Sequence, residues 1–307
     1  MGKRILVLGS YVTDLTGRTT RLPGPGETIK GHYFKMGPGG KGSNQAVAAH
    51  RAGADVTLIT RLGDDTLGKE TLDFYKSENM QTDSIIIDKE HATGVALILV
   101  SEGDGQNQII VIPSACERFT DDEIPEILKK VEQSDILLMQ LEINMAPMVA
   151  AVKHAKKHGV TTILNPAPAQ QIDKEFLKYI DIIIPNETEA QFLTGIDAID
   201  KTNARQAGKK LFDLGINSVI ITLGEEGCYA SDGENERFFD IIKAGEVVET
   251  TGAGDAFCGG FAAALSKGFD FFDAVSYGNT VAGISVTRLG TAPSMPYSDE
   301  IERNLRG

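Results

Sequence analysis

The chain has 307 residues, 41% hydrophobic and 24% charged, enough to build one large α/β domain or two smaller ones. Its 30 basic and 43 acidic residues give a net charge of −13 with no Lys/Arg run, which argues against a nucleic-acid surface. Cys116, Cys228 and Cys258 are too scattered for a zinc site or a disulfide framework.

The start, Met1-Gly2-Lys3-Arg4 followed by Ile5-Leu6-Val7-Leu8, is basic then apolar, but its apolar run is too short for a signal-peptide core. No stretch reaches transmembrane length. The expectation is a cytoplasmic protein that meets no membrane.

Short β-rich runs then alternate with helical patterns. Strands are expected at Ile5–Leu8, Val56–Thr60, Ile136–Leu141, Thr161–Leu164, Ile182–Ile184 and Ser218–Thr222. Several are apolar on consecutive residues, as strands buried on both faces of a parallel sheet tend to be. Helices fall between them at Asn44–Ala52, Leu67–Asn79, Asp122–Glu132, Met145–His158 and Ala204–Leu214. After Asp255 the pattern is helical, through Asp273–Leu289 and Ser298–Leu305. This alternation predicts a three-layer, doubly wound α/β fold, a mostly parallel sheet with helices on both faces.

Two regions break the rhythm. Residues 15–34 and 90–113 are strand-like with no helix between, including Val95–Val100 and Gln108–Ile112. The connector Ser101-Glu102-Gly103-Asp104-Gly105 is a hairpin turn signal. They predict a small β-sheet lid over the main sheet. With no linker or repeat to divide the chain, residues 1–307 read as a single domain.

Ligands of open α/β sheets bind beyond the carboxyl ends of the strands. Polar residues gather there: Asp14, Gln140 and Glu142, Asn165, Asn186 and Glu189, then Thr222 and Gly224. Asn186 and Glu189, three apart at a helix start, could hold a hydrated Mg²⁺ or form a capping box, and both readings stay open.

The cluster Gly37-Pro38-Gly39-Gly40-Lys41-Gly42-Ser43-Asn44 literally satisfies GxGxxG, yet residues 31–36 before it make a poor strand. Gly42 after Lys41 also excludes a Walker A loop. Backbone amides, Lys41 and Asn44 read better as the floor beneath a small polyhydroxylated ligand. His154 and His158 lie among Lys153, Lys156 and Lys157 and read as the solvated C-terminal end of a helix.

The strongest signal is Thr251-Gly252-Ala253-Gly254-Asp255, bare backbone leading into a small-residue helix. Unpaired amides at a helix N-terminus suit a phosphate. A carboxylate beside that phosphate repels it, and makes sense as the base for a hydroxyl about to attack it. The alternative is an Asp that caps the helix. Phe257, Phe261 and Leu265 mark the buried face of that helix, with Gly259, Gly260 and Ala262–Ala264 there for close packing.

With these pieces in order, the chain resembles the ribokinase family, the phosphofructokinase-B-type carbohydrate kinases, over essentially its whole length. The resemblance rests on 39–46 (GGKGSNQA), 164–169 (LNPAPA), 185–190 (PNETEA), 221–224 (ITLG) and 251–257 (TGAGDAF), and is nearest to the ribokinases. It implies an ATP-dependent kinase acting on the primary (5-) hydroxyl of a ribose-like pentose, with 2-deoxyribose or a nucleoside as alternatives. A non-catalytic sugar-binding regulator is a more distant one.

The resemblance makes Asp255 the base, with the amides of Gly252, Ala253 and Gly254 as an anion hole. Asp14, Gly40, Lys41, Gly42, Asn44 and Glu142 would hold the sugar. Asn186, Thr222, Gly224, Gly227, Gly254 and Asn279 would contact the nucleotide, with Glu189 acting through Mg²⁺. Glu249, Thr251, Ser285, Arg288, Gly290 and Ser294 match a loop site for an activating monovalent cation such as K⁺. A β-lid shared across a homodimer is also implied.

Three departures stand out. Val12 replaces an Asn usual two residues before the sugar-binding Asp, and an apolar side chain there favours a sugar lacking one hydroxyl, such as 2-deoxyribose. Glu249 replaces an Asp at the cation loop. Ala115-Cys116-Glu117 replaces Gly-Ala-Asn near the sugar.

Overall fold

Successive residues of the first strand, β1 (Arg4–Leu8), enter opposite apolar cores: Ile5 and Val7 one, Leu6 and Leu8 the other. A strand with no polar face belongs in the middle of a sheet covered on both sides. The computed structural model describes residues 2–103, 105–197 and 199–306. Met1, and Asp104 of the expected hairpin turn, lie outside them.

After β1 come β2 (Val12–Thr19), β3 (Tyr33–Gly39), α1 (Lys41–Arg51), β4 (Asp55–Ile59), β5 (Arg61–Gly63) and α2 (Thr66–Ser77). Three strands follow, β6 (Ile86–Asp88), β7 (Val95–Ser101) and β8 (Asn107–Ile112). The alternating half runs α3 (Ile124–Glu132), β9 (Ile136–Met139), α4 (Met145–His158), β10 (Thr161–Leu164), α5 (Lys174–Leu177) and β11 (Ile182–Ile183). It continues with α6 (Glu187–Thr194), α7 (Ala204–Phe212), β12 (Ser218–Thr222), β13 (Cys228–Ser231) and β14 (Glu236–Phe239). The chain closes with α8 (Ala253–Ser266), α9 (Phe271–Ser285) and α10 (Ser298–Arg306).

The described residues form an eight-stranded sheet, order β14-β13-β12-β11-β10-β9-β1-β4. It is parallel from β12 to β4, with β13 and β14 antiparallel at one edge. Helices α1, α8 and α9 pack into one core, and α3, α4 and α7 into the other, giving the three layers expected. The strand order reverses between β1 and β9, so a crevice opens where Ser10 and Glu142 leave the sheet.

The edge pair β13–β14 was not anticipated by the alternation. Cys228-Tyr229-Ala230-Ser231 is short and mostly small, and only Asp232-Gly233 marks the turn. Several boundaries move as well, among them that of β9, which ends at Met139 rather than Leu141. Helix α1 begins at Lys41, three residues before the expected Asn44. The penultimate helix ends at Ser285 rather than Leu289, where the Ser285 and Thr287 hydroxyls donate to the Ala282 and Ile284 carbonyls and compete with helix continuation.

A separate four-stranded sheet, order β3-β2-β7-β8, comes from the two regions without helices. Its strands lie outside the expected limits at one end: β2 begins at Val12 and β3 continues to Gly39. Gly37, Pro38 and Gly39 therefore belong to a strand, and Asp14 stands on this second sheet.

Candidate active site

Gly252 caps α8 with a φ of 83°, a left-handed conformation that a side chain would strain. The turn sets Asp255 in the first turn of α8, where it is buried. Of the three amides expected to face an anion, that of Ala253 donates instead to the Thr250 carbonyl at 3.1 Å, closing the turn that starts the helix.

Asp255 is held by α1. Asn44 Nδ2 donates to its Oδ2 and Gln45 Nε2 to its Oδ1, each at 2.9 Å. The early start of α1 makes this possible, because Lys41, Asn44 and Gln45 then share one helix face at spacings of three and four. A Cβ at Gly259 would come within 2.5 Å of the Gln45 carbonyl, so glycine there lets α8 lie against α1.

Gln45 extends the network. Its Nε2 also reaches Asn165 Oδ1 at 3.1 Å, its Oε1 accepts from Gln140 Nε2 at 2.6 Å, and Asn165 Nδ2 donates to the Ile184 carbonyl at 2.9 Å. The sequence marks Gln140 only as a strand-end residue, Asn165 as a strand end and a letter of a motif, and Gln45 only as a letter of a motif.

A cavity of about 160 Å³ opens beside Asp255, lined also by Lys41, Asn186, Glu189, Thr222 and Gly254. Burial would lower the Lys41 ammonium, but the charges of Asp255, Glu142 and Glu189 outweigh it and hold it above its ordinary value. Glu142 Oε2 accepts from the Lys41 N–H at 2.9 Å and from Ser10 Oγ at 2.5 Å, so it fixes the first turn of α1.

The capping box left open in the sequence is present: Asn186 Oδ1 accepts from the Glu189 N–H at 2.8 Å and Glu189 Oε2 from the Asn186 N–H at 3.0 Å. It is not on the surface, since Glu189 is buried and lines the cavity. Burial raises its carboxyl, opposed by the Asn186 N–H and by Lys41.

A second cavity, about 490 Å³, lies between the four-stranded sheet and the 247–251 and 289–293 loops, with Asp14, Glu249, Thr251 and Gly290 in its lining. Asp14 is pushed up to about 6, chiefly by burial and further by the charges of Asp255, Glu142 and Glu249, against a hydrogen bond from Thr291. Thr291 Oγ1 lies 3.1 Å from Asp14 Oδ2, while a Cβ on Gly252 would stand 3.3 Å from Thr291 Cα. Thr291, in the lining of the second chamber, thus stands beside Gly252 of the first.

Apart from Glu249 and Gly290, which line the second cavity, the remaining expected site residues line neither. Gly40 and Gly42 pack against the backbones of Tyr11 and Ser10. Gly224 and Gly227 form the turn between β12 and β13, and Asn279 Nδ2 donates to the Asp240 carbonyl at 2.7 Å. Glu249 Oε2 accepts from the Gly290 N–H at 2.7 Å, the Ser294 hydroxyl donates to the Thr291 carbonyl, and Arg288 pairs with Glu300. Val12 is buried at the root of β2, and Cys116 Sγ donates to the Tyr11 carbonyl at 2.8 Å, a core position behind it.

The pattern that defines the pfkB family carbohydrate kinases matches residues 3–297. The chain is 39% identical over 302 residues to the ribokinase of Haemophilus influenzae, covering 98% of this chain and 97% of that one. It is 33% identical over 302 residues to the deoxyribokinase of Salmonella typhi, covering 98% of each. Its fold is similar to that of Arabidopsis thaliana ribokinase complexed with ribose and ATP, at a TM-score of 0.92 and 32% identity over the whole of both chains. The chain belongs to the pfkB family of carbohydrate kinases. Within that class it is a sugar kinase of the ribokinase type, with the ribokinase-like α/β fold.

Proposed function

We propose that this enzyme moves the terminal phosphoryl group of ATP onto the primary (5-) hydroxyl of a ribose-like pentose, with Asp255 as the base. The observation that carries this reading is the position of Asp255 between Lys41 and Glu189 on one side and, through Gly252 and Thr291, Asp14 on the other. The sugar would lie under the second sheet, on Asp14 and the α1 turn that Glu142 fixes. Asn44 and Gln45 aim the Asp255 carboxylate. Such a base contributes about 10²–10⁴ in rate, the remainder coming from positioning and the charge of Lys41.

The nucleotide would occupy the end of the sheet marked by Asn186, Thr222, Gly224, Gly227 and Asn279, with Gly252 and Gly254 near its last phosphate. The donors at Asn186 and Glu189 are all oxygen, the set Mg²⁺ prefers, and the capping box engages only one oxygen of Glu189. Bound Mg²⁺ supplies neutralisation of phosphate charge. Glu249, which accepts from the Gly290 N–H, draws two adjoining loops together, and Glu249, Thr251, Ser285, Arg288, Gly290 and Ser294 would offer side-chain or carbonyl oxygens suited to K⁺.

A coupled assay of ADP release with ATP and Mg²⁺ against ribose, 2-deoxyribose, hexoses and adenosine tests the reading. Turnover of a pentose supports it, and no turnover of any pentose overturns it. Adenosine outpacing both pentoses would make the enzyme a nucleoside kinase. The buried apolar side chain of Val12 favours a second reading, 2-deoxyribose as the preferred sugar.

The lid strand β8 exposes Ile109, Ile110, Val111 and Ile112, apolar residues on an open edge that suits pairing of two copies through the lid. A monomer in sedimentation velocity would rule that out. The free, buried Cys116, Cys228 and Cys258 suit a reducing cytoplasm, and no helix among the described residues is long and apolar enough to cross a membrane.

A further inference from the structure

Glu132 ends α3, and His154 and His158 stand four apart near the end of α4, so both imidazoles emerge on one face of that helix. His154 Nε2 lies 2.7 Å from Glu132 Oε1, and His158 Nε2 lies 3.8 Å from the same oxygen. The three candidate ligand atoms lie within 4.8 Å of one another, and among the described residues no other group of His, Cys, Asp and Glu meets that condition.

We propose that Glu132, His154 and His158 bind a transition-metal dication of the Zn²⁺ class and fasten α3 to α4. Ligand atoms around a tetrahedral zinc are about 3.4 Å apart, given bonds near 2.0–2.2 Å. The distances of 2.7 and 3.8 Å straddle that value, so small side-chain rotations would seat the ion. His158 is already aimed. Its Nδ1 lies 2.9 Å from the His154 carbonyl, which can only accept, so Nδ1 carries the proton and Nε2 presents a lone pair toward Glu132.

Two imidazoles and one carboxylate suit Zn²⁺, Ni²⁺ or Cu²⁺ far better than Mg²⁺ or Ca²⁺, which want oxygen alone. Side-chain exposures of 19%, 40% and 48% for His154, His158 and Glu132 leave an entry path and room for water as a further ligand. The site is separate from the catalytic rim. Glu132 and His158 come just before β9 and β10, at the amino ends of strands whose carboxyl ends carry Glu142 and Asn165. The expected solvated helix end is thus only part of the picture, because the third ligand comes from a neighbouring helix that the His spacing cannot reveal.

The full chain, stripped with EDTA, would be titrated calorimetrically with ZnCl₂ and melted with and without zinc, beside the double variant His154→Ala/His158→Ala. The wild type should bind one zinc more per chain than the variant and melt higher in zinc. The variant should lose that increment while keeping its far-ultraviolet circular dichroism. Should it fail to fold, His154→Gln/His158→Gln replaces it. Equal zinc stoichiometry in wild type and variant overturns the site. Glu132→Gln should weaken the increment, and wild-type affinity in that variant overturns the three-ligand assignment.

Discussion

Gln45 donates 2.9 Å to Asp255 Oδ1, and so aims a carboxylate 210 residues away in sequence. Asp255→Asn should leave nucleotide binding nearly intact while turnover falls by about 10²–10⁴. Equilibrium dialysis with ATP beside steady-state kinetics checks both halves, and retained turnover would remove Asp255 from the role of base.

Gln45→Ala should act on stability as well as rate. It strips a donor from Asp255 and leaves Gln140 Nε2 and Asn165 Oδ1 without the partners they have now. Each orphaned buried group costs about 1–3 kcal/mol. Urea unfolding should show a loss of that order, together with a fall in kcat larger than any rise in KM.

Much of this site can be read from the sequence and part of it cannot, for a physical reason. The Gly252 turn needs a residue type that only glycine supplies, so it marks the chain itself. Gln45, Gln140 and Asn165 are ordinary amides until the parallel order of β9, β10 and β11 beside α1 brings them together. The second sheet is legible as strand, but Lys35, Gly37 and Pro38 spoil the alternation of β3 and hide its end.

Asp14 offers a test by pH. Its carboxyl is raised from 3.8 to about 6, so the folded protein holds this proton more tightly than the unfolded chain does. The stability it contributes is full below its unfolded value and is lost as pH rises through about 6. Asp14→Asn should therefore melt above the wild type at about pH 8, and the gap should narrow through about pH 5 and close toward about pH 4. In the wild type, kcat/KM for the sugar should fall as the carboxylate is protonated.

Val12→Asn restores a hydroxyl partner at the root of β2. The ratio of ribose to 2-deoxyribose turnover should rise by about ten- to a hundredfold, the worth of one buried hydrogen bond of 1–3 kcal/mol. Kinetics on both sugars decide it, and an unchanged ratio removes Val12 from specificity.

Exchange of sodium for potassium should raise kcat at fixed Mg²⁺ and ATP. Glu249→Asp should change that response, because the shorter acid withdraws from the Gly290 N–H it now meets at 2.7 Å. Equal rates in the two salts would count against a cation at these loops.

Thr291 is a party wall. Its hydroxyl serves Asp14 on one side and its backbone abuts Gly252 on the other. If the sugar sits on Asp14 and the phosphate at the Gly252 turn as proposed, a sugar that draws Asp14 aside should disturb the footing of that turn, and an arriving phosphate should be felt beneath the sugar. The two affinities should then be coupled, each substrate scaling the other's dissociation constant by the same factor.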